Sequence, residues 1–237
     1  MRLIIDLILV LILAISIWTG YKRGLIRSII GLASLILVLV VSNILATNIS
    51  RQLVPAVEPF VSGYIDSDTV TAEVLANMGY ADSDKSLNDV LNEDSSLKED
   101  YAYECMRAAG FFRDASEDLA QDAVNYATKN NISMTDSVIT VICNTAAYVL
   151  CVTIIFTVLI ILMNVILDML NLNAKLPNAE LVDDISGAAI GFVKGMLTCI
   201  LLCWLLGFLG LIIGKKVSDK GLMSFFLAFR FITRTLI

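Results

Sequence analysis

Three ionisable side chains lie within or at the ends of long apolar stretches of the sequence: Asp6, Asp168 and Lys194. An ionisable group at the centre of a bilayer costs at least ~2.5–3.5 kcal/mol, so such residues are candidates for function. One interpretation pairs Lys194 with Asp6 or Asp168 inside a helix bundle, where they would form a polar centre for ion passage. In the other, which is favoured, Lys194 extends its charge to the membrane interface.

The remaining residue types offer little chemistry. The chain contains no His, which removes Ser-His-Asp and Cys-His nucleophilic sites and zinc sites with His ligands. Of the five cysteines only Cys105 lies in a polar region, and no CxxC pair is present. We interpret the other four, which lie in apolar runs, as small apolar fillers: Cys143, Cys151, Cys199 and Cys203.

The acidic residues of the polar region could in principle hold a cation, but none has the spacing of an EF-hand loop. We interpret them as solvated surface charge, including Asp82, Asp84, Glu93 and Asp94. We therefore predict no enzyme activity, no cofactor and no metal site.

The composition indicates a membrane protein. The 237 residues are 57% hydrophobic with a mean hydropathy of +0.80, whereas soluble domains are about 45–50% apolar. Residues 47–137 carry 17 acidic and 6 basic side chains, so the rest of the chain is net basic although the total charge is −6. An acidic polar region would repel phosphates, which disfavours nucleic acid as a partner.

Four apolar stretches could cross a bilayer as helices, near residues 3–20, 25–47, 138–168 and 186–213. The predicted fold is all-α: an integral membrane four-helix bundle with an extramembrane helical insert between spans 2 and 3. Its regions are a membrane hairpin (1–47), an acidic helical insert (48–136), a second membrane hairpin (137–214) and a basic amphipathic tail (215–237). Within the insert we predict a helix from Arg113 to Lys129 that stops at Asn130 and Asn131.

A short basic turn, GYKRG, joins the first two apolar runs and contains Gly20, Lys22, Arg23 and Gly24. Its basic residues follow the first run instead of preceding it, which favours a membrane span over a cleavable signal peptide. The charges could bind anionic lipid head groups or could simply set the membrane topology. We favour the topological interpretation.

A small residue recurs at every fourth position of the last span. We call this set the glycine seam: Gly187, Gly191, Gly195, Cys199, Cys203 and Gly207. In lipid, small residues let helix backbones approach closely, so the seam predicts helix packing. Because four-residue spacing drifts around a helix of 3.6 residues per turn, we expect different neighbours at the two ends of the seam.

The order of these motifs resembles the colicin V production protein (CvpA) family. The shared features are an Asp near the start of the first span, a G-x-x-R-G turn, and a last span with glycines and a basic residue. Here they are Asp6; Gly20, Arg23 and Gly24; and Gly187, Gly191, Lys194 and Gly195. The resemblance covers the four spans, whereas the acidic insert is longer than the family's loop. It implies a bacterial inner-membrane protein linked to toxin (colicin V) production or export and to envelope homeostasis.

We therefore predict a non-enzymatic multi-pass protein that binds the lipid bilayer and assembles with itself or with an envelope protein. The alternative is an oligomeric small channel or transporter. The first hairpin usually dominates orientation, and its turn is basic. We accordingly expect the turn inside the cell, and both termini and residues 47–137 outside the cytoplasm.

Overall fold

The computed structural model describes residues 2–80, 91, 97–170, 180–208 and 222–227. Within these residues the chain forms helices and no strand, which confirms the predicted all-α, membrane-type fold. The helices are α1 (Arg2–Ile65), α2 (Asp68–Asn77), α3 (Leu97–Ala108), α4 (Arg113–Asn130), α5 (Met134–Met169), α6 (Glu180–Leu206) and α7 (Leu222–Leu227).

Helix α1 is broken at a single residue, Gly24, whose φ of 74° and ψ of 177° are not helical. The Ser28 hydroxyl donates to the Gly20 carbonyl across 3.3 Å, although residues eight apart in a straight helix are separated by about 12 Å. The chain therefore changes direction sharply at Gly24, within the predicted turn. Only glycine adopts this backbone conformation without strain. We call the two parts α1a (residues 2–23) and α1b (residues 25–65).

Among the described residues, three helices have the length and apolar composition to cross a membrane: Leu3–Ile65, Met134–Met169 and Leu181–Leu206. The break at Gly24 divides the first of them into the two predicted spans. Helix α5 has 36 residues, about 54 Å, and so exceeds the roughly 30 Å of a bilayer's hydrocarbon.

The second predicted span was expected to end near residue 47, but α1b continues to Ile65 with Pro55 and Pro59 inside it. A proline inside a helix removes one hydrogen bond and usually bends or ends the helix. Here Val54, Val61 and Ile65 pack against a hydrophobic core, and this packing favours the helix through both prolines. The end of the membrane span near residue 47 stays a prediction, and the local sequence did not predict that the helix continues beyond it.

The last span also differs from its predicted bounds of 186–213. Helix α6 begins at Glu180, so part of the predicted 171–185 linker is helical. The acidic residues Asp183 and Asp184 lie in the first turns of this helix, where negative charge is favoured by the helix dipole. The helix ends at Leu206, and the last predicted residues of the span lie outside the described residues. So does most of the predicted basic tail, of which only α7 is described.

The chain divides into two compact units. The described residues of the first belong to 1–48, 151–205 and 219–237, and those of the second to 49–150 and 206–218. The first unit contains the polar candidates and most of the glycine seam. On α1b its buried positions are spaced by three or four residues, as one face of a helix requires: Ser28, Gly31, Leu35, Val38, Ser42 and Ala46.

In the first unit, the glycine seam packs directly on the backbone of α1a. A Cβ added to Gly187 would lie 2.5 Å from the Gly20 carbonyl oxygen and 2.8 Å from the Gly24 carbonyl carbon. Such distances are too short for any side chain. The two helices are therefore as close as glycine alone permits.

The contacts continue down the seam in antiparallel register. A Cβ on Gly191 would collide with the Ser16 carbonyl oxygen, and one on Gly195 would lie 2.9 Å from the Ser16 Cβ. One turn further, the Cys199 thiol donates to the Leu9 carbonyl across 3.6 Å. As numbers rise along α6 they fall along α1a, so the two helices run in opposite directions.

The second unit is a helical domain around a core of bulky side chains. Among them are Tyr101, Met106 and Phe111, with Val138 and Ile142 from the first turns of α5. Helix α4 ends at Asn130, close to its predicted end, and Asn131 closes it in the left-handed conformation.

The last residue of the seam belongs to this second unit. The Gly207 carbonyl accepts a hydrogen bond from the Phe112 N–H at 2.8 Å, and the Phe208 and Phe111 rings meet edge to face. Because Gly187 to Cys199 contact α1a, the two ends of the seam have different neighbours.

We expect Gly191→Leu and Gly195→Leu to prevent the approach of α6 to α1a and to destabilise the fold by about 1–3 kcal/mol or more. Folded yield and thermal unfolding in detergent measure the effect. Gly63→Ala is the matched control, because a Cβ there meets nothing within 4 Å and should be neutral or slightly stabilising. Seam variants as stable as the parent would show that the contact is dispensable.

Candidate functional site

The candidate site is a cavity of about 110 Å³ in the first unit, beside the break at Gly24. Helices α1a, α1b and α6 all contribute to it. Its basic lining residues are Arg23, Arg27 and Lys194. The other lining residues are small, hydroxylated or apolar: Ile15, Ser16, Thr19, Gly20, Ser28, Gly31 and Gly191.

Glycines make the room for this cavity. Gly20 and Gly191 hold two of the helices together and add no side chain to the space between them. On α1b, a Cβ at Gly31 would lie 3.4 Å from the Lys194 Nζ. The absence of a side chain at Gly31 therefore leaves space for the lysine ammonium group. The same residue type therefore closes the helix contact and opens the cavity next to it.

The predicted partners of Lys194 are engaged elsewhere. Asp168 pairs with the Arg27 guanidinium, and the Asp6 carboxylate accepts a hydrogen bond from the Leu222 N–H at 3.1 Å. In the described part of the chain, no carboxylate oxygen lies within 4 Å of Lys194 or Arg23. The structure thus brings neither acid to Lys194, and it places the lysine beside two arginines instead.

The charge around the cavity is unbalanced as a result. Of its three cations, Arg27 has the Asp168 carboxylate as a partner, whereas Arg23 and Lys194 have none among the described residues. Lys194 is partly buried, so an opposite charge or water must compensate its charge, whereas Arg23 is exposed. The cavity therefore has the electrostatic character of an anion site.

The remaining turn residue, Lys22, lies outside this cavity. Its Nζ is 5.1 Å from the centre of the Trp18 ring, a cation–π distance. Trp18 and Tyr21 are stacked with their centres 6.5 Å apart. The turn therefore directs its two neighbouring cations to different surroundings, Lys22 to an aromatic pair and Arg23 to the cavity.

Asp183 lies next to this site and is not among the candidate residues predicted from the sequence. Its side chain is 0% exposed, and its Oδ1 accepts the Leu25 N–H at 2.9 Å. Leu25 is the first residue of α1b, so Asp183 caps that helix from α6 and lies against Gly24. Its Oδ2 has no hydrogen-bond partner among the described residues. A signal was present, because Asp183 lies four residues before Gly187 and extends the seam by one position.

Comparison with known families supports the predicted resemblance over the first two apolar spans. Residues 5–79, about a third of the chain, match the family model described as colicin V production protein. The match confirms the resemblance and includes Asp6, Gly20, Arg23 and Gly24. It continues into the insert as far as α2, whereas the last-span motif lies beyond it. A search of curated proteins and a search of solved structures found no significant match.

The match and the long apolar helices together indicate a membrane protein similar, over its first part, to the colicin V production family. The residues that the match covers form two helix walls of the cavity, α1a and α1b, and the break between them. The wall that carries Lys194 comes from α6, outside the matched residues.

We expect Asp183→Ala to destabilise the protein by about 1–2 kcal/mol, because the Leu25 N–H loses its acceptor at a buried helix start. Asp183→Asn keeps an acceptor oxygen and should cost clearly less. Thermal unfolding of the two variants in one detergent makes the comparison. An equal loss in both would point to the carboxylate charge instead of the cap.

Proposed function

We propose that this chain is a multi-pass protein of the bacterial inner membrane that supports colicin V production or export and envelope homeostasis without enzyme chemistry. In this proposal it acts by binding partners, either further copies of itself or another envelope protein. The family match supports the link to colicin V production.

The observation that carries the proposal is the apolar outer surface of the candidate spans. Large apolar side chains are exposed on all of them, among them Leu11 and Trp18 on α1a, Ile154 and Ile161 on α5, and Val193 on α6. Surface of this kind needs lipid or another apolar helix against it. A bilayer and partner helices are the two environments that supply one.

A colicin V-producing strain that lacks its own family member tests this proposal. Expression of the chain should restore secreted toxin activity, and Gly63→Ala should restore it equally. A cross-linking pull-down from the same membranes should retain a defined partner or a second copy. Normal membrane insertion with no restored secretion would contradict the link to toxin production.

The alternative function, an oligomeric channel or transporter, is favoured by one feature, the basic cavity beside Gly24. A pathway through it would pass anions, because Arg23 and Lys194 would repel cations. Purified protein in liposomes should then show anion flux that Lys194→Gln reduces. Sealed liposomes without flux, combined with a stable partner, support the binding function.

We also propose an orientation with the GYKRG turn in the cytoplasm. Two contacts link this turn to one end of the later helices, Leu25 with Asp183 and Arg27 with Asp168. The Asp6 contact with Leu222 lies towards the other end of α1a. Both termini and the insert, residues 47–137, then lie outside the cytoplasm, and the basic turn follows the positive-inside rule.

Thiol labelling tests this orientation, but Cys105 itself is a poor probe. It is 1% exposed, and burial raises the pKa of its thiol to about 12, so the reactive thiolate is scarce at pH 7–8. We expect no labelling of the native protein by an impermeant reagent, since all five cysteines are buried. Asn125→Cys, on the exposed side of α4, should react on intact spheroplasts.

Lys22→Cys provides the opposite control, because this exposed turn residue should react only after lysis. The reverse pattern for the two variants would place the insert in the cytoplasm. Strong labelling of the native protein at neutral pH would contradict the burial of Cys105.

A further inference from the structure

Two cations that line the cavity have no carboxylate partner among the described residues. Arg23 and Lys194 come from different helices, line the same 110 Å³ space, and have no carboxylate within 4 Å among the described residues. Lys194 is partly buried and Arg23 is exposed, so their repulsion is less screened than that between two charges in open water. An arrangement of this kind becomes favourable when an anion occupies the space.

The chemistry of the walls indicates which anion. A guanidinium offers a planar fork of donors that suits phosphate oxygens, and a lysine ammonium adds a point charge. The Ser16 hydroxyl also lines the cavity and has no hydrogen-bond partner among the described residues. A group with several oxygen acceptors could bind all three.

The size of the cavity fits the same group. A cavity of about 110 Å³ has room for several water molecules, or for one phosphate group in their place. The lining residue Ile15 leaves 55% of its surface exposed on a candidate span. An acyl chain attached to the phosphate would have an apolar surface to lie against.

We propose that this cavity binds the phosphate group of an anionic molecule through Arg23 and Lys194. An anionic phospholipid head group and free phosphate both supply this chemistry. The inference is independent of the role in toxin production, because it concerns a ligand of the membrane unit and rests on different residues. Arg27 contributes to the walls while it holds Asp168.

The test is a titration of the purified full-length protein in a neutral detergent, followed by thermal unfolding. The probes are phosphatidylglycerol, phosphatidylcholine and inorganic phosphate, each added separately. Arg23→Gln and Lys194→Gln should weaken binding of the anionic probe at least about tenfold, since each removes a charge-assisted hydrogen bond to phosphate. Lys194→Arg should restore binding.

Lys22→Gln is the matched control, because it removes the same charge from the same turn but contacts Trp18 instead of the cavity. It should bind like the parent. Non-specific attraction of anions to the basic turn, without a site, would be weakened equally by Lys22→Gln and Arg23→Gln, and that result would overturn the proposal.

The probes separate the two sources. Stabilisation by phosphatidylglycerol but not by inorganic phosphate assigns the site to a lipid head group, and the reverse assigns it to free phosphate. Binding of neither anion by the parent would overturn the proposal. If Lys194→Gln fails to fold, Arg23→Gln still decides the question, because Arg23 is exposed and its replacement is better tolerated than that of a buried residue.

Discussion

The close contact between the backbones of α1a and α6 is the constraint on which the rest of the membrane unit depends. Lipid gives two apolar helices little reason to associate, so their contact has to come from close packing. Gly20 and Gly187 supply it, since a Cβ on either would collide with the other's backbone. This approach brings Asp183 to the first N–H of α1b and thereby stabilises the break at Gly24. It also sets Lys194 opposite Gly31. The turn, the cap and the cavity therefore have one physical cause.

Three acidic residues among those that the structure describes in this unit hold segments of the chain together. Asp183 caps α1b, Asp168 pairs with Arg27, and Asp6 accepts the backbone N–H of Leu222. Each carboxylate is thus used where it holds two segments together. The charge that remains unpaired in the cavity is that of Arg23 and Lys194, so the electrostatic potential of the site is positive. The predicted pairing of Lys194 with Asp6 or Asp168 is not what these contacts produce.

The sequence predicted those features that depend on local pattern. The four-residue period identified the packing face of α6. The basic residues between two apolar runs predicted the turn at Gly24. The amphipathic pattern predicted α4, and its predicted end differs from the observed end by one residue. It could not predict what the seam packs against, because periodicity defines a face and not its partner. Asp183 looked like part of a linker for the same reason: its role exists only once Leu25 lies beside it. The helix through Pro55 and Pro59 likewise depends on core contacts that local propensity does not contain.

The two units are stabilised by opposite means, so they tolerate different substitutions. The second unit is built on bulky buried side chains such as Met106 and Phe112, whose burial from water stabilises it. The first depends on side chains that are missing, at Gly20, Gly187 and Gly191. Its exposed apolar residues can vary with little effect on stability in lipid, whereas adding one carbon to the seam cannot be accommodated. In the acidic insert the surface charges are free to vary while the core is kept. Substitutions on the surface of the insert are therefore tolerated, whereas a substitution at Gly20, Gly187 or Gly191 disturbs the packing beside the cavity.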